Sequence, residues 1–435
     1  MHHGQAYLTR EIEAVSWLLR NTVDVLQTSI RPALTGLPAA HATRCVEVLA
    51  AAVDQLVRLA ETGGERPAFA ALADELADVD RVEERLAAVK APPEQQQAPA
   101  AGEGAPTRIG LDAETLEAYL REHPGGGANL RLRHLERMSG GRSKSTYALT
   151  VAGAADLPGD LVIRKDQETL LNNTSVVSEA KLLERLHRAG MKVPQPFHLE
   201  SDPGRLGSPF LILERLRGTT AGEVFDPPRN ERLALALAEQ VGLLHSIDVG
   251  TLADDPFLVT KDVTGDQLRE QLAAFRATVD EFSEPYPSVL GALEWLDEHV
   301  RDFYEEVRLV HGDLGFHNVL AEGDELTAVL DWELASLGHP ARDLGYLRST
   351  IEMMTDWDKF LDVYHASGGV RCDPYAVDFY MLFSSVWLYQ HLARSGQMRL
   401  KWDARNIEYA ISFAVLGPNM RYRLARQLGG VLARY

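Results

Sequence analysis

The most informative stretch of this chain is residues 310–347, VHGDLGFHNVLAEGDELTAVLDWELASLGHPARDLGYL. Asp313 stands five residues before Asn318, and Asn318 stands thirteen residues before Asp331. The apolar run 326–330, which lies between Asn318 and Asp331, predicts a buried strand. The spacing therefore places three side chains that carry oxygen atoms around a single strand and its connecting loops.

This spacing is that of the catalytic loop in eukaryotic-type kinases. There the Asp accepts the proton of the acceptor hydroxyl, the Asn holds Mg2+, and a further Asp after a strand holds the metal ions that bridge the ATP phosphates. Phosphoryl transfer needs little covalent help, so a site must mainly supply two metal ligands and one carboxylate facing the incoming oxygen. The pattern predicts Asp313 as that catalytic carboxylate, Asn318 and Asp331 as Mg2+ ligands, and ATP as the phosphoryl donor.

Two tripeptides distinguish this chain from protein kinases. The loop opens with His-Gly-Asp at 311–313, where protein kinases carry His-Arg-Asp, and Asp-Trp-Glu at 331–333 replaces their Asp-Phe-Gly. In both departures the chain resembles the aminoglycoside phosphotransferase family, the antibiotic, choline and other small-molecule kinases that share the protein-kinase core. The resemblance spans roughly residue 111 to the C-terminus.

Within that family, residues 331–347 are similar to a branch that includes kinase domains fused to, or encoded beside, acyl-CoA dehydrogenases. The resemblance implies a hydroxyacyl-CoA or a hydroxy acid as the acceptor. This chain departs from the branch at His339, where Asp is common.

The resemblance implies an α+β, protein-kinase-like bilobal fold. We expect a small β-rich N-lobe over residues 108–216 and a large helical C-lobe over 217–435, which would carry the catalytic loop and the acceptor-binding helices. Before them, residues 1–90 have apolar positions at three- and four-residue steps, which predicts an all-α helical bundle. Residues 91–107, APPEQQQAPAAGEGAPT, predict a flexible linker.

Composition limits the classes of partner. The chain has 435 residues and a formal net charge of −19, which argues against nucleic acid as a ligand. The net charge does not argue against ATP, because a bound Mg2+ ion and a few basic side chains can make the electrostatic potential at the nucleotide site positive. No stretch approaches the roughly 18 to 20 apolar residues that a membrane span needs, and the N-terminus lacks a secretory pattern. We therefore expect a cytoplasmic protein with no membrane partner.

A glycine-containing turn lies between two predicted strands at residues 139–146, SGGRSKST. In a kinase N-lobe such a loop covers the nucleotide phosphates with backbone N–H groups, which makes Gly140, Gly141 and Ser143 candidate nucleotide-binding residues. A Walker A loop is excluded, because that motif requires Gly immediately before Lys-Ser and this chain has Ser143 there.

The predicted strand 160–165 ends in a pair of cations. Arg164 and Lys165 point to opposite faces, and the kinase pattern places one of them on the nucleotide phosphates. In the kinase pattern, the residue two positions before the phosphate-binding cation packs on adenine. If Val162 is that residue, Arg164 binds the phosphates, whereas a register shifted by one residue would assign Lys165. The resemblance further implies that Glu179, on a helix from about 175 to 189, pairs with that cation.

The apolar run 209–216 corresponds to the hinge between kinase lobes, where backbone groups near Glu214 and Leu216 would bind the adenine edge. Two further residues are predicted to support the loop structurally. His311 would hydrogen-bond the loop, and Asp343 would brace its backbone from the following helix. For Glu333 the sequence leaves a metal contact, an acceptor contact or an ion pair with Arg342 open.

Three functions remain open from the sequence. The favoured one is a small-molecule kinase with an anionic acceptor, for which the basic C-terminal segment is a candidate binding surface. An antibiotic kinase is the second, because a cationic aminoglycoside suits the acidic net charge. A pseudokinase or adaptor is the third, with the helical domain 1–90 binding a protein partner or a second copy. The choice between ATP and GTP is also open.

Overall fold

The computed structural model describes residues 111–123, 125–138, 144–167, 175–224, 226–252, 254–283, 286–304, 306–398 and 407–435. The predicted helical domain 1–90, the linker 91–107 and the loop residues Gly140, Gly141 and Ser143 lie outside these residues. One compact unit comprises Pro106–Arg394 and Asn419–Tyr435, and every side chain discussed below lies in it. The other unit takes in Ser395–Pro418, whose described residues are helical.

An antiparallel sheet of five strands forms the first lobe. Its strands lie in the spatial order β1-β2-β3-β5-β4 and are β1 (Arg131–Arg137), β2 (Lys144–Ala152), β3 (Asp160–Asp166), β4 (Pro196–Glu200) and β5 (Phe210–Glu214). Tyr147, Leu149 and Val151 occupy alternate positions of β2, and all three are buried against Leu161 and Ile163 of β3. This alternation is the pattern by which one face of a strand enters a core.

Helix α1 (Ala113–Glu122) covers that apolar face of the sheet. The Asp112 carboxylate accepts a hydrogen bond from the Thr115 N–H, 2.9 Å away, and so caps the first turn. Leu116 and Leu120 of α1 are fully buried, as expected for an amphipathic helix on a sheet.

Helix α2 (Val176–Arg188) is anchored to the end of β3. The Asp166 carboxylate accepts a hydrogen bond from the Val176 N–H at 3.0 Å and another from the Ser175 hydroxyl. Glu179 therefore lies in the first turn of α2, close to the end of β3. The one-turn helix α3 (Pro203–Leu206) lies in the connection from β4 to β5.

The second lobe is mostly helical. It contains α4 (Glu231–Ser246), α5 (Gly265–Phe282), α6 (Pro287–His299), α7 (Ala341–Ile351), α8 (Trp357–Ala366), α9 (Pro374–Met398) and the last part of α10 (Ile407–Leu432). Aromatic side chains of α8 and α9 fill its core, among them Tyr364, Phe379, Tyr380 and Tyr389, all fully buried.

Two small sheets bring distant loops of this lobe together. Strand β7 (Arg308–Val310) pairs with β10 (Ser336–Gly338), so the loop that follows β7 and the turn that precedes β10 lie side by side. A second sheet has the order β6-β8-β9, from β6 (Thr219–Thr220), β8 (Val319–Glu322) and β9 (Glu325–Val329). Because Val319 pairs with Val329, Asn318 and Asp331 lie near the same end of that hairpin.

The predicted α+β, bilobal architecture is confirmed for the described residues, and β9 corresponds to the predicted strand 326–330. Within those residues, no helix is both long and apolar enough to cross a bilayer.

Candidate active site

The loop 311–318 turns sharply at Gly312. This residue has a φ of +86°, and a Cβ atom there would lie 2.7 Å from the carbonyl oxygen of Leu334. Both the positive φ and the close approach of the second loop require a residue without a side chain. This is the physical reason why Gly separates His311 from Asp313 in this chain.

Asp343, in the first turn of α7, holds the backbone of the same loop. Its two carboxylate oxygens accept hydrogen bonds from the N–H groups of His311 (2.8 Å) and Gly312 (2.9 Å). His245 of α4 lies 3.3 Å from the same carboxylate. Burial raises the pKa of Asp343, but the hydrogen bond from His245, the charge of His245 and the hydrogen bond from the Gly312 N–H outweigh burial and lower the pKa below its ordinary value.

His311 is fully buried, and both of its ring nitrogens are engaged. Nδ1 accepts a hydrogen bond from the Asp313 N–H at 3.3 Å, so Nε2 carries the proton and donates it to the Leu330 carbonyl oxygen at 2.9 Å. The ring also contacts Trp332, with 4.5 Å between centroids. His311 therefore links the two loops and is not placed to take a proton from an acceptor.

Three side chains fix the Asp313 carboxylate. The Tyr346 hydroxyl donates to Oδ1 at 2.6 Å, while His317 Nε2 and Asn318 Nδ2 lie 3.5 Å and 3.3 Å from Oδ2. Burial raises the pKa of Asp313, but the hydrogen bonds from His317 and Tyr346 and the charge of His317 outweigh burial and lower the pKa to about 2. Asp313 is therefore an ionised acceptor of hydrogen bonds at neutral pH.

Asn318 turns its amide nitrogen towards Asp313. Nδ2 donates to the Asp313 carbonyl oxygen at 2.9 Å, so the amide oxygen is the atom left to contact a cation. The Asn318 carbonyl oxygen accepts from the Leu330 N–H at 2.8 Å. This bond fixes Asn318 beside the residue that precedes Asp331.

Asp331 has an unusual backbone conformation. Its φ and ψ are +64° and +63°, and Asp262 is the other residue apart from Gly with a positive φ in the described part of the chain. Such a conformation costs on the order of 1 kcal/mol or more and is typical of functional sites. The side chain is 38% exposed, and its Oδ1 lies 3.3 Å from Nη2 of Arg164.

Arg164 connects the two lobes at this point. Its guanidinium forms ion pairs with Glu179 of α2 and with Asp331. Burial lowers the pKa of Arg164, but the neighbouring carboxylates, Glu179 foremost, outweigh it and raise the pKa above its ordinary value. Burial raises the pKa of Glu179, and Arg164 opposes that rise.

Lys165 points to the other face of β3, where its ammonium donates to the Ser208 hydroxyl. Of the two cations that the sequence left open, Arg164 is thus the one in contact with Glu179 and Asp331.

A buried cation was missing from the predicted site. Lys144, the first residue of β2, is 1% exposed, and its Nζ lies 3.7 Å from the Asp166 carboxylate and 3.9 Å from the Glu333 carboxylate. Glu333 thus lies beside Lys144, whereas Arg342 forms its ion pair with Asp262 at 3.0 Å. The only sequence signal for Lys144 is its position three residues after Gly141 in the glycine-containing turn.

Tyr346 was also absent from the predicted site. It lies three residues after Asp343 on α7, a spacing that places both side chains on one helix face. Burial and the neighbouring Asp313 carboxylate raise the pKa of Tyr346 well above its ordinary value, so its hydroxyl stays protonated and donates.

The predicted hinge follows β5. Val162 and Leu213 are cross-strand neighbours of β3 and β5, the arrangement in which side chains share a face. The Glu214 N–H donates to the Gln195 carbonyl oxygen at 2.9 Å, and Leu216 lies two residues beyond the end of the strand.

A cavity of about 400 Å³ opens beside the hinge and is lined in part by Glu214, Leu216, Lys192 and Thr327. Asp313, Asn318 and Asp331 do not line it. The cavity is therefore separate from these three predicted site residues.

The donor atoms around Asp331 suit Mg2+ and a nucleotide. Mg2+ takes hard oxygen ligands and is usually held by one or two protein groups together with waters and substrate phosphates. The exposed carboxylate of Asp331 and the amide oxygen of Asn318 supply two such groups, and Arg164 supplies a forked cation of the kind that binds phosphate.

Comparison with known proteins agrees with this geometry. The model of the phosphotransferase enzyme family (APH) matches residues 134–380, more than half of the chain. Human acyl-CoA dehydrogenase family member 11 is 26% identical over 249 residues, which cover 54% of this chain and 30% of that protein. Mouse acyl-CoA dehydrogenase family member 10 is 28% identical over 246 residues, 55% of this chain and 22% of that protein. The chain thus spans less than a third of the length of these relatives.

Two solved structures share the fold. One is a crystal structure from Ralstonia eutropha JMP134 assigned as an aminoglycoside phosphotransferase, with a TM-score of 0.57 and 20% identity over 74% of this chain and 99% of that one. The other is spectinomycin phosphotransferase APH(9)-Ia with ADP and spectinomycin, with a TM-score of 0.52 and 14% identity over 73% of this chain and 99% of that one. The predicted resemblance to the dehydrogenase-associated branch is confirmed. The chain therefore belongs to the phosphotransferase enzyme family.

Proposed function

We propose that the protein is an ATP- and Mg2+-dependent O-phosphotransferase that acts on the hydroxyl group of a small anionic acceptor, of the hydroxyacyl-CoA or hydroxy acid class. The observation that carries this proposal is the environment of Asp313. An ionised carboxylate is held on both sides by hydrogen-bond donors and lies in one loop with Asn318.

Each residue has a distinct part in the proposed reaction. Asp313 accepts a hydrogen bond from the acceptor hydroxyl, orients it and takes its proton late in the transfer. Arg164 grips the nucleotide phosphates while Glu179 holds its guanidinium in place. Asn318 and Asp331 hold Mg2+, which when bound neutralises charge that develops on the phosphate oxygens. His311 and Asp343 keep the loop backbone rigid.

Two arginines of the C-terminal helices act on residues that neighbour Asp313, and they support an anionic acceptor. Burial lowers the pKa of His391 on α9, the charge of Arg394 lowers it further, and that of Asp313 raises it. Arg423 on α10 donates to the carbonyl oxygen of Tyr346 at 3.2 Å. Arg394 and Arg423, on two helices, thus each act on a neighbour of Asp313 and not on its carboxylate, and a cation at this distance suits the carboxylate or phosphate groups of an acceptor. The similarity to acyl-CoA dehydrogenase family members 10 and 11 also supports an anionic acceptor of this class.

An aminoglycoside or other antibiotic acceptor is the second candidate. The net charge of −19 would attract a cationic acceptor at long range. Arg394 and Arg423, which act on His391 and Tyr346, would oppose a cationic acceptor at shorter range, where the interaction is stronger.

An acceptor screen distinguishes the candidates. The purified chain with Mg-ATP is supplied with a panel of hydroxyacyl-CoA esters and hydroxy acids, and separately with an aminoglycoside panel, and ADP release is measured. We expect turnover with the first panel. Turnover with aminoglycosides alone would replace the proposed acceptor class, and turnover with neither panel would favour an adaptor function.

Replacement of Asp313 by Asn tests the catalytic assignment. Because general acid–base groups contribute roughly 10² to 10⁴-fold, Asp313→Asn should lower kcat by at least about 10²-fold and leave Mg-ATP affinity nearly unchanged. Isothermal titration with a non-hydrolysable ATP analogue measures the affinity. Equal losses of nucleotide binding and turnover would contradict the role given to Asp313.

A further inference from the structure

A second cluster of potential ligands lies on the N-terminal lobe. His123 stands at the end of α1, and His198 and Glu200 lie on β4. One ligand atom from each residue lies within 4.8 Å of those of the other two, and all three side chains are half-buried. No residue of the candidate active site belongs to this cluster.

The fold positions these three side chains. His198 and Glu200 are two residues apart on β4, an edge strand of the five-stranded sheet, so they lie on the same face. The imidazole of His123 stacks on the ring of Tyr119 with 3.7 Å between centroids. The Tyr119 hydroxyl donates to Glu200 at 2.8 Å and lies 2.7 Å from Nε2 of His198. Tyr119 thus links the end of α1 to both residues of the strand.

The donor set has the chemistry of a transition-metal site. Two imidazoles and one carboxylate are the protein ligands of a known class of Zn2+ site with one position left for water or another ligand. Imidazole suits Zn2+, Cu2+ and Ni2+, whereas Mg2+ and Ca2+ prefer oxygen ligands alone. Glu200 already accepts hydrogen bonds from Tyr119 and from the Asp202 N–H, but a carboxylate has about four lone-pair sites.

The ligand atoms of His123, His198 and Glu200 must move closer together to bind one metal ion. Metal–ligand bonds of about 2.0 to 2.2 Å place tetrahedral ligand atoms roughly 3.4 Å apart, which is less than the 4.8 Å limit seen here. Rotation of half-exposed side chains can supply that movement. Arg205 is the neighbouring cation whose charge acts on Tyr119, and Asp202 lies on the same connection from β4 to β5 as Arg205.

We propose that His123, His198 and Glu200 bind one divalent transition-metal ion, with Zn2+ as the best match, and thereby join the end of α1 to the edge strand β4. The site is independent of phosphoryl transfer, because none of its ligands contacts Asp313, Asn318 or Asp331.

Metal titration of the full chain without an affinity tag tests this proposal. The metal-free protein is titrated with Zn2+ by calorimetry and with Co2+ by visible absorption. We expect one tight site with the d–d absorption of four-coordinate Co2+. Loss of residues that merely orient metal ligands typically costs 10 to 100-fold in affinity. His198→Gln and Glu200→Gln, which remove ligands, should therefore each weaken this site by about 100-fold or more.

The chain offers a matched control on β1. His134 and Glu136 repeat the His-Leu-Glu pattern of 198–200, with 3.3 Å between the imidazole and the carboxylate, and the described residues supply no third ligand beside them. His134→Gln should leave Zn2+ affinity unchanged, and circular dichroism of each metal-free variant checks that it folds. The proposal is overturned if the wild-type chain binds no Zn2+ tightly, if the site survives His198→Gln in a folded protein, or if His134→Gln removes it equally.

Discussion

Asp313 and Asp331 carry the same functional group in different environments. Asp313 is enclosed by donors that hold both of its oxygens, which lowers its pKa to about 2. Asp331 is more exposed and contacts one guanidinium. The first environment suits a carboxylate that must keep one orientation towards a hydroxyl. The second suits a carboxylate that must remain accessible to a metal ion.

Two substitutions of Asp331 distinguish the cost of its backbone conformation from the role of its side-chain charge. Asn tolerates a positive φ better than most residues, whereas Ala pays roughly 1 to 2 kcal/mol for it. Asp331→Asn and Asp331→Ala should both lower kcat by about 10²-fold or more, but only the Ala variant should lose about 1 kcal/mol of stability relative to the Asn variant. Urea unfolding measures the difference. Equal stabilities would show that the conformation at residue 331 relaxes without cost.

Tyr346 is predicted to position Asp313 rather than to bind nucleotide. A hydrogen bond to a charged group contributes about 1.5 to 3 kcal/mol, so Tyr346→Phe should lower kcat by roughly tenfold or more. KM for ATP should stay within about twofold, because the hydroxyl contacts only Asp313 among the site residues. Steady-state kinetics at saturating acceptor measures both. A rise in KM for ATP with unchanged kcat would contradict this role.

At the scale of elements, strand pairing assembles the site. The pairs β7–β10 and β8–β9 bring the loop 311–318 next to the turn 330–335, and Asp343 of α7 completes this arrangement by accepting two buried N–H groups of the loop. The site thus depends on one helix and two short sheets that are separated in sequence.

The contribution of α7 can be measured with Asp343→Ala. This change leaves two buried backbone donors without their acceptor, at a cost of about 1 to 3 kcal/mol each, and should also reduce kcat by at least about tenfold. Asp356→Ala is the matched control, since Asp356 caps two N–H groups at the exposed start of α8. The control should cost about 1 kcal/mol and leave kcat unchanged. Similar kinetic effects of both variants would argue against a special role for Asp343.

At the scale of the whole molecule, the buried carboxylates predict acid sensitivity. The pKa values of Asp313 and Asp343 are lowered in the folded state. A group of this kind stabilises the fold above its unfolded pKa, near 4, and that contribution disappears as the pH falls through its folded pKa. The raised pKa of Glu179 has the opposite effect on the pH dependence of stability. The contribution of Asp313 must therefore be isolated by comparing the wild-type chain with a variant.

Urea midpoints measured between pH 6 and pH 2 test this expectation. The wild-type midpoint should fall as the pH drops from about 4 towards 2, and Asp313→Asn should show a smaller fall because one of the responsible groups no longer titrates. An identical pH dependence in the variant would contradict the lowered pKa of Asp313.

Much of the architecture could be predicted from local patterns. The helix α2 has an apolar periodicity, and the strands β9 and β5 have short apolar runs, all of which can be recognised without a partner element. The spacing of Asp313, Asn318 and Asp331 follows from the lengths of a loop and a hairpin. The roles given to these side chains are still predictions. Asn318 and Asp331 lie near each other because one hairpin connects them, and the length of that hairpin can be read from the sequence.

The sequence alone indicated the family from short-range motifs and, through that resemblance, the bilobal fold, and the spacing of Asp313, Asn318 and Asp331 made these three the predicted site residues. Only the tertiary structure decided that Arg164 and not Lys165 contacts Asp331, that Lys144 is buried beside Glu333, and that Tyr346 reaches Asp313. Such contacts depend on which face of a strand or helix meets a distant element. That choice is made by strand register and core packing across the whole lobe, which no local pattern in the chain records.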